Sequence, residues 1–272
     1  MNSMFGEEMT VTVLLAHRDC IWGLRRAIDS ILAQTLDTLQ LILIDDDSAS
    51  IADVRAIVHD CHDERLVAFR TTRNVGQFRI YNRLLPWIAS PLISYQDADD
   101  WSPPNRLETL VAALERHQWD VLGSGVARRD RQGRPLPPFT PPTDVNRACA
   151  WRCRGGAVSG ATVLCRTEFV RGLGGYDGTT RLGGDTEFAF RAVFAGRVGN
   201  LPQQLYEATV HEGSLTCSPK TGFGTASRRR YLRTIRSRFY ANLLRSKLRP
   251  ISPALLQARP CNVEFDIVPL ES

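Results

Sequence analysis

Leu92-Ile-Ser-Tyr-Gln-Asp-Ala-Asp-Asp100 decides how the rest of the chain is read. A short strand-like run, Leu92 to Tyr95, stops at three carboxylates within four residues, Asp97, Asp99 and Asp100. Working backwards, Leu39 to Ile44 is a second apolar run that stops at acids, Asp45-Asp46-Asp47. Val11 to Leu15 and Leu66 to Phe69 complete a set of four short strands. Helical spacing fills the gaps: Leu24, Ala27, Ile28, Ile31 and Leu32, then Ala52 to Cys61, then Phe78 to Ile88 with Pro86 near its end. Ser102-Pro103-Pro104 reads as a helix opening, with a capping hydroxyl and proline in the first turn, and that helix runs to about His117. Near-continuous apolar strands alternating with helices predict an α/β fold with a mostly parallel sheet covered on both faces. Ligands of such sheets bind beyond the carboxyl ends of the strands, where both acid clusters lie.

Working forwards, the pattern is less regular. Arg128 to Arg147 is rich in Pro and Arg and reads as a loop. Ala161 to Cys165 is strand-like, Leu173 to Asp177 is a turn, Asp185 to Ala195 a helix and Leu205 to Val210 a final strand. Ser227 to about Leu248 is helical and basic, and no Asp or Glu occurs between Gly213 and Val263.

Composition bounds the function. With 43% hydrophobic and 23% charged residues, the 272-residue chain has material for one ordinary core, and disorder is excluded. A net charge of +5 suits an anionic substrate without pointing to nucleic acid, and none is expected as a partner. The seven cysteines are scattered, without a Cys-x-x-Cys, so a zinc site is poorly supported and a reducing compartment is expected. Met1 to Met9 has no apolar run and no stretch approaches a bilayer span, which predicts a cytoplasmic protein without a signal peptide.

Each candidate residue has two readings. Clustered carboxylates repel one another unless a cation lies between them, so Asp97, Asp99 and Asp100 suggest a hard divalent ion that neutralises substrate phosphates. The competing reading is a solvated turn with a helix-capping acid. Asp45-Asp46-Asp47-Ser48 is a base- or ribose-binding edge, or simply a turn. Asp185, after Gly183-Gly184, is a general base or a helix-start acid favoured by the dipole. His211 is a metal ligand or a structural histidine.

Taken together and in order, these residues resemble the family-2 glycosyltransferases of the GT-A fold. The resemblance is carried by Thr12-Val-Leu-Leu-Ala-His-Arg-Asp with Ala27-Ile-Asp-Ser-Ile-Leu-Ala-Gln-Thr, by Ile44-Asp-Asp-Asp-Ser, and by Asn74-Val-Gly76 with Asn82 and Leu84. It continues through Gln96-Asp-Ala-Asp-Asp-Trp-Ser-Pro-Pro-Asn-Arg-Leu-Glu to Gly174-Gly-Tyr-Asp, Gly184-Asp-Thr-Glu-Phe and His211-Glu-Gly-Ser-Leu-Thr. Its last portion, through Arg230-Tyr231, is similar to bacterial members that assemble surface or secreted glycans.

The resemblance implies a single GT-A (Rossmann-like) domain over residues 10–215, with a nucleotide-sugar half at 10–126 and an acceptor half at 127–215. A tail at 1–9 precedes it and a basic helical C-terminal extension at 216–272 follows. It implies an inverting transferase that moves a sugar from a nucleotide diphosphate donor, UDP above all, to a hydroxyl acceptor on a glycan, a lipid-linked carrier or a small molecule. Asp46 would contact the base, Ala16 and Arg18 would line its pocket, and Asn74, Gly76 and Asp97 would belong to the donor site. Asp99 would bind Mg²⁺ or Mn²⁺ with Asp97 beside it and His211 completing the site, and Asp185 would be the base, with Glu187 in reserve. The chain departs from the family where Ala16-His17-Arg18-Asp19 replaces Pro-Thr-Tyr-Asn, where Tyr81 replaces an arginine, and where Gly184-Asp185 replaces Glu-Asp. Arg18 then stands for the aromatic that stacks on the base, which a guanidinium can also do.

Two other classes compete. A nucleotidyltransferase also uses strand-end carboxylates and a metal, but the first loop, Ala16 to Gly23, lacks a glycine-rich phosphate cradle. A non-catalytic binding module is opposed by the joint presence of Asp97, Asp99 and Asp185. The basic segment from Ser227 to Arg249 carries Ile235, Phe239 and Leu243 on one apolar face. It predicts a helix docked on the domain with a solvated basic back, or peripheral contact with an anionic membrane or acceptor carrier through residues 227–249.

Overall fold

The computed structural model describes residues 9–153, 156–222, 224–260 and 263–270. Residues 1–8 of the predicted tail, residues 154–155, Phe223 and Cys261 lie outside the described residues.

The first half alternates as expected: β1 (Val11–His17), α1 (Ile21–Leu32), β2 (Leu39–Asp45), α2 (Ile51–His59), β3 (Leu66–Thr71), α3 (Gln77–Leu84), β4 (Leu92–Tyr95) and α4 (Arg106–His117). A 3-10 turn at Leu85–Trp87 ends α3 around Pro86. β5 (Val121–Asp130), β6 (Pro135–Phe139), α5 (Val145–Cys149), β7 (Leu164–Arg166), α6 (Thr167–Gly172), α7 (Gly184–Ala195), β8 (Val198–Val210), α8 (Ala226–Ser246) and β9 (Ile267–Pro269) follow. The sheet order is β6-β5-β7-β4-β1-β2-β3-β9, with β8 beside β5. Strands β4, β1, β2 and β3 pair in parallel and form the centre; antiparallel pairs join β7 to β4 and β9 to β3.

Alternation within each strand makes the sheet two-faced. Val11, Val13 and Leu15 of β1 and Leu39, Leu41 and Leu43 of β2 enter one apolar cluster, with Leu24, Ile28, Leu107 and Leu110 of α1 and α4. Leu14, Ile42 and Ile44 enter the other, with Phe78 of α3, Phe188 and Phe190 of α7 and Phe239 of α8. Side chains two apart share a face, so a fully apolar strand is what a sheet covered on both sides requires.

Several sequence expectations are corrected. The predicted loop from Arg128 to Arg147 is the end of β5, a hairpin to β6 and the helix α5. Proline is tolerated there because β6 is the sheet edge, where a missing N–H costs no ladder bond. Strand β5 itself was not expected, because Gly123 and Gly125 break its apolar pattern. Strand β8 begins at Val198, ahead of the predicted Leu205, and is not the last strand. Ser102 does not cap α4: its hydroxyl donates to Gln96 Oε1 (2.7 Å) and accepts from Arg106 (2.8 Å), and the helix starts at Arg106.

Helix α8 docks through its apolar stripe. Ile235 and Phe239 are buried, and the Phe239 ring lies 5.0 Å from Phe190 and 5.2 Å from Phe194 of α7. After α8 the chain returns across the domain. Arg259 donates to the buried Asp177, as does the Tyr231 hydroxyl, and β9 then adds to the free edge of β3.

Candidate active site

The two acid clusters end β2 and β4 on the same side of the sheet, as parallel strands dictate, but their carboxylates are employed differently. Asp45 is fully buried. It accepts from the His17 ring (3.2 Å) and from the Ser48 N–H (3.0 Å), with Arg70 at 3.4 Å. Burial alone would raise its carboxyl, yet the hydrogen bonds from His17 and Ser48 hold it below the usual carboxylate range. The Cys20 N–H donates to His17 Nε2 (3.0 Å), which leaves the ring proton on Nδ1, facing Asp45.

Asp46 reaches the next loop. Oδ1 accepts from the Val75 N–H (2.7 Å) and the Thr71 hydroxyl (3.2 Å), and Oδ2 accepts from the Gly76 N–H (2.7 Å). Three of about four acceptor positions on this carboxylate are therefore in use. Gly76 has φ +89°, which glycine adopts without a Cβ penalty, and the turn so formed opens α3. The side-chain oxygen of Asn74 is buried without a hydrogen-bond partner. Asp47 pairs with Arg70 at 3.0 Å. Arg18 is half exposed against Asp19, while Ala16 packs on the core below. Asn82 donates to the Tyr176 carbonyl and accepts from its N–H, both at 2.7 Å, and so ties α3 to the Gly174-Gly175 turn. Tyr81 is buried among Tyr95 and Tyr176, with its hydroxyl bonded to the Ala16 backbone and within the field of Asp97.

The second cluster follows β4. Gly23 of α1 lies directly on this turn: a Cβ there would be 2.7 Å from the Ala98 carbonyl oxygen and 2.8 Å from Asp99 Cα. The Asp97 N–H donates to the Tyr206 hydroxyl (3.1 Å), and Asp100 is turned inward to accept from the Thr209 N–H (2.7 Å). Beneath them is Arg106, fully buried, donating to Gln96, Ser102, Ser94 and the Tyr95 and Ala161 carbonyls. Its guanidinium lies 5.0 Å over the Tyr206 ring, and burial lowers it to about 10. Asp97 is nonetheless pushed up to about 7, by burial first and then by Asp99 and Asp185. Asp100 is also raised, by burial first and then by Asp99 and Asp97.

Two predicted residues from distant elements join this group. His211, just past β8, brings Nε2 to 2.7 Å from Asp99 Oδ2. Asp185, at the start of α7, lies near enough to raise Asp97. Glu187 is not part of the group. It is buried on the other side of α7, held by Arg191 (2.8 Å) and Arg238 (3.5 Å).

The group fits a hard divalent cation. Asp97, Asp99, Asp100 and Asp185 gather around one buried guanidinium, Arg106, and repulsion from Asp99 and Asp185 adds to burial in raising Asp97. Asp99 and His211 offer an oxygen and a nitrogen ligand on one side of it. Among the described residues no three His, Cys, Asp or Glu side chains close a cage by themselves. Mg²⁺ characteristically completes its shell with water and substrate phosphate oxygens.

Sequence reasoning did not single out Arg106, Tyr206, Trp22 or Arg131. The Trp22 indole packs edge-on against the His211 ring (5.2 Å, 87°), and the Arg131 guanidinium lies 4.6 Å over it. Trp22 looks in sequence like one more residue of an amphipathic helix. The available signal was an aromatic in the first turn after a strand end, on the side where ligands bind.

The family model for glycosyl transferase family 2 matches residues 19–169, more than half of the chain. The chain belongs to this family. EpsE of Bacillus subtilis strain 168, whose name calls it a glycosyltransferase, is 31% identical over 206 residues, covering 72% of each protein. The succinoglycan biosynthesis protein ExoU of Rhizobium meliloti strain 1021 is 28% identical over 227 residues, covering 78% of this chain and 65% of ExoU. Among solved structures, S. aureus TarS 1–349 in complex with UDP-GlcNAc has a TM-score of 0.65 at 17% identity, covering 87% of this chain and 72% of that one. The complex of the same fragment with UDP has a TM-score of 0.60 at 18% identity, covering 75% and 61%. The fold is thus the expected GT-A fold, and membership of the family decides for a glycosyltransferase over a nucleotidyltransferase or a binding module. In this family-2 glycosyltransferase, Asp185 and His211 lie beyond the matched span and are brought to the matched acids by α7 and β8.

Proposed function

We propose that the protein is an inverting glycosyltransferase that takes its sugar from a UDP-linked donor, depends on Mg²⁺ or Mn²⁺, and hands the sugar to a hydroxyl of a glycan or lipid-linked carrier. The observation that carries this reading is the grouping of Asp97, Asp99 and Asp185 at the end of β4, with His211 Nε2 2.7 Å from Asp99 Oδ2. Asp99 and His211 would hold the cation, which would supply positive charge to a diphosphate leaving group.

The remaining steps belong to the chain's own residues. Ala16, Arg18 and the last acceptor position of Asp46 bind the base, and Asn74 and Gly76 form the adjoining wall. Asp97 belongs to the donor-binding side of the site. Asp185 accepts the proton of the acceptor hydroxyl as its oxygen bonds to the anomeric carbon. The bond from that carbon to the diphosphate oxygen breaks, and its electron pair leaves with the nucleotide. Attack opposite the leaving group inverts the configuration. With Glu187 committed to Arg191, Asp185 is the carboxylate free to act as base. Support for a UDP donor comes from the similar fold of TarS, which was solved with UDP and with UDP-GlcNAc. Support for a glycan acceptor comes from ExoU, named for succinoglycan biosynthesis.

The test is a panel of nucleotide sugars screened by thermal shift and by release of nucleoside diphosphate, with and without Mn²⁺. Asp185→Asn should keep the donor-induced shift and lose about 10²–10⁴-fold in transfer, the usual contribution of a general base. Wild-type transfer in that variant, or turnover undiminished in excess chelator, contradicts the proposal.

A further inference from the structure

Helix α8 has a second apolar stripe that its docking does not use. Leu232, Ile235, Phe239 and Leu243 face the domain. On the outer side Tyr240 and Leu244, with Leu248 in the turn just past the helix end, are 48%, 65% and 81% exposed. Trp151 is 79% exposed and lies against the same patch, because the Lys247 ammonium is 4.8 Å over its ring and the Cys153 N–H donates to the Tyr240 hydroxyl. Large apolar side chains this exposed, gathered from two segments, mark a surface that something covers.

The charge around the patch indicates what covers it. At about 3.6 residues per turn, Arg229, Arg233, Arg236, Tyr240, Leu244 and Lys247 fall on one side of α8. No Asp or Glu occurs from Gly213 to Val263, and among the described residues none of these cations forms an ion pair. Arg228 belongs elsewhere: it is buried and donates to the Leu215 and Thr221 carbonyls. Trp and Tyr favour the headgroup layer, leucine the acyl boundary beneath it, and Lys and Arg the anionic lipid surface.

We propose that the outer face of α8, with Trp151 beside it, is a membrane-binding surface that docks the protein on an anionic lipid bilayer, with Leu244 and Leu248 entering the acyl boundary and Arg229, Arg233 and Arg236 on the headgroups. It stands apart from the reading of the active site, because binding is measured without donor or acceptor.

The test is flotation with phosphatidylcholine vesicles, with or without phosphatidylglycerol, using the whole chain. Binding is expected only with the anionic lipid, and should fall at least about tenfold between roughly 0.1 and 0.5 M salt as screening shortens. Leu244→Ser with Leu248→Ser should weaken binding by about tenfold or more, since each loses its buried methyl groups. Arg233→Gln with Arg236→Gln should weaken it and flatten its salt dependence. Lipid should shift tryptophan emission to shorter wavelength in the wild type, and Trp151→Phe should remove that shift while the protein still floats. These positions are exposed, so circular dichroism and melting temperature should not change. The proposal is overturned by no flotation with anionic vesicles at low salt, or by flotation that the leucine pair leaves unchanged. It is equally overturned by a dimer that the leucine pair dissociates in a chain that binds no vesicles, which would make a second copy the occupant.

Discussion

The two acid clusters look alike in sequence and differ in what balances them. Asp45, Asp46 and Asp47 are answered from within the protein, by His17, Ser48, Arg70 and the N–H groups of Val75 and Gly76. Asp97, Asp99 and Asp100 have Arg106 beneath them, the Thr209 N–H on Asp100 and His211 on Asp99, yet they also face one another, and burial with that repulsion raises Asp97 and Asp100. Three acids at a strand end therefore do not by themselves make a cation site. What matters is whether their charge has already been used in building the loop around them. On the proposed reading, the first cluster fixes the shape of the pocket and the second takes the cation.

The largest contrast is expected between Asp99→Asn and Asp46→Ala. Asp99→Asn should cost transfer about 10²–10³-fold or more, as loss of a charge-stabilising group does. Its melting temperature should hold or rise, because a like charge beside Asp97 is removed. Asp46→Ala should do the reverse in denaturant titration. It strands the N–H groups of Val75 and Gly76, at about 1–3 kcal/mol for each buried donor left unpaired. A stable Asp46→Ala, or an Asp99→Asn that unfolds early, breaks the comparison.

A smaller effect appears on acidification. Asp45 is held below its unfolded value, so the stability it contributes is fully present above the unfolded pKa, about 3.9, and is lost as pH falls through the folded one. Urea titrations between about pH 5 and 2.5 should show a decline that Asp45→Asn makes shallower. An unchanged slope in that variant moves the acid sensitivity to other groups, Asp177 first, since it too is held low against burial by Arg259 and Thr179.

Much of this was legible in the sequence, and the gaps have physical causes. Strand-helix alternation over the first half was readable because β1 and β2 are apolar on both faces and the helices keep one clear stripe. Strand β5 was not, because its glycines remove the apolar signal, and the proline-rich β6 is permitted only at an edge, which a linear sequence does not reveal. The acids themselves were legible. Their balance was not, because the groups that set it come from far along the chain: Gly76 lies 30 residues from Asp46, and His211 lies 112 from Asp99. Glu187 shows the same limit. It is two positions from Asp185 in sequence, yet the helical turn sends it to Arg191 on the opposite side of α7.

The smallest expected effect is that of Asp47→Asn. Asp47 forms a partly exposed pair with Arg70, and its loss should cost under about 1 kcal/mol. That makes it the matched control for the central claim, that the cluster after β4 takes the cation and the cluster after β2 does not. Electron paramagnetic resonance of free Mn²⁺, titrated with protein in the presence of UDP, measures this directly. The account predicts that the wild type and Asp47→Asn deplete the free Mn²⁺ signal alike, and that Asp99→Asn leaves it nearly undiminished. Equal depletion by Asp99→Asn and the wild type, or loss of depletion in Asp47→Asn, would contradict it.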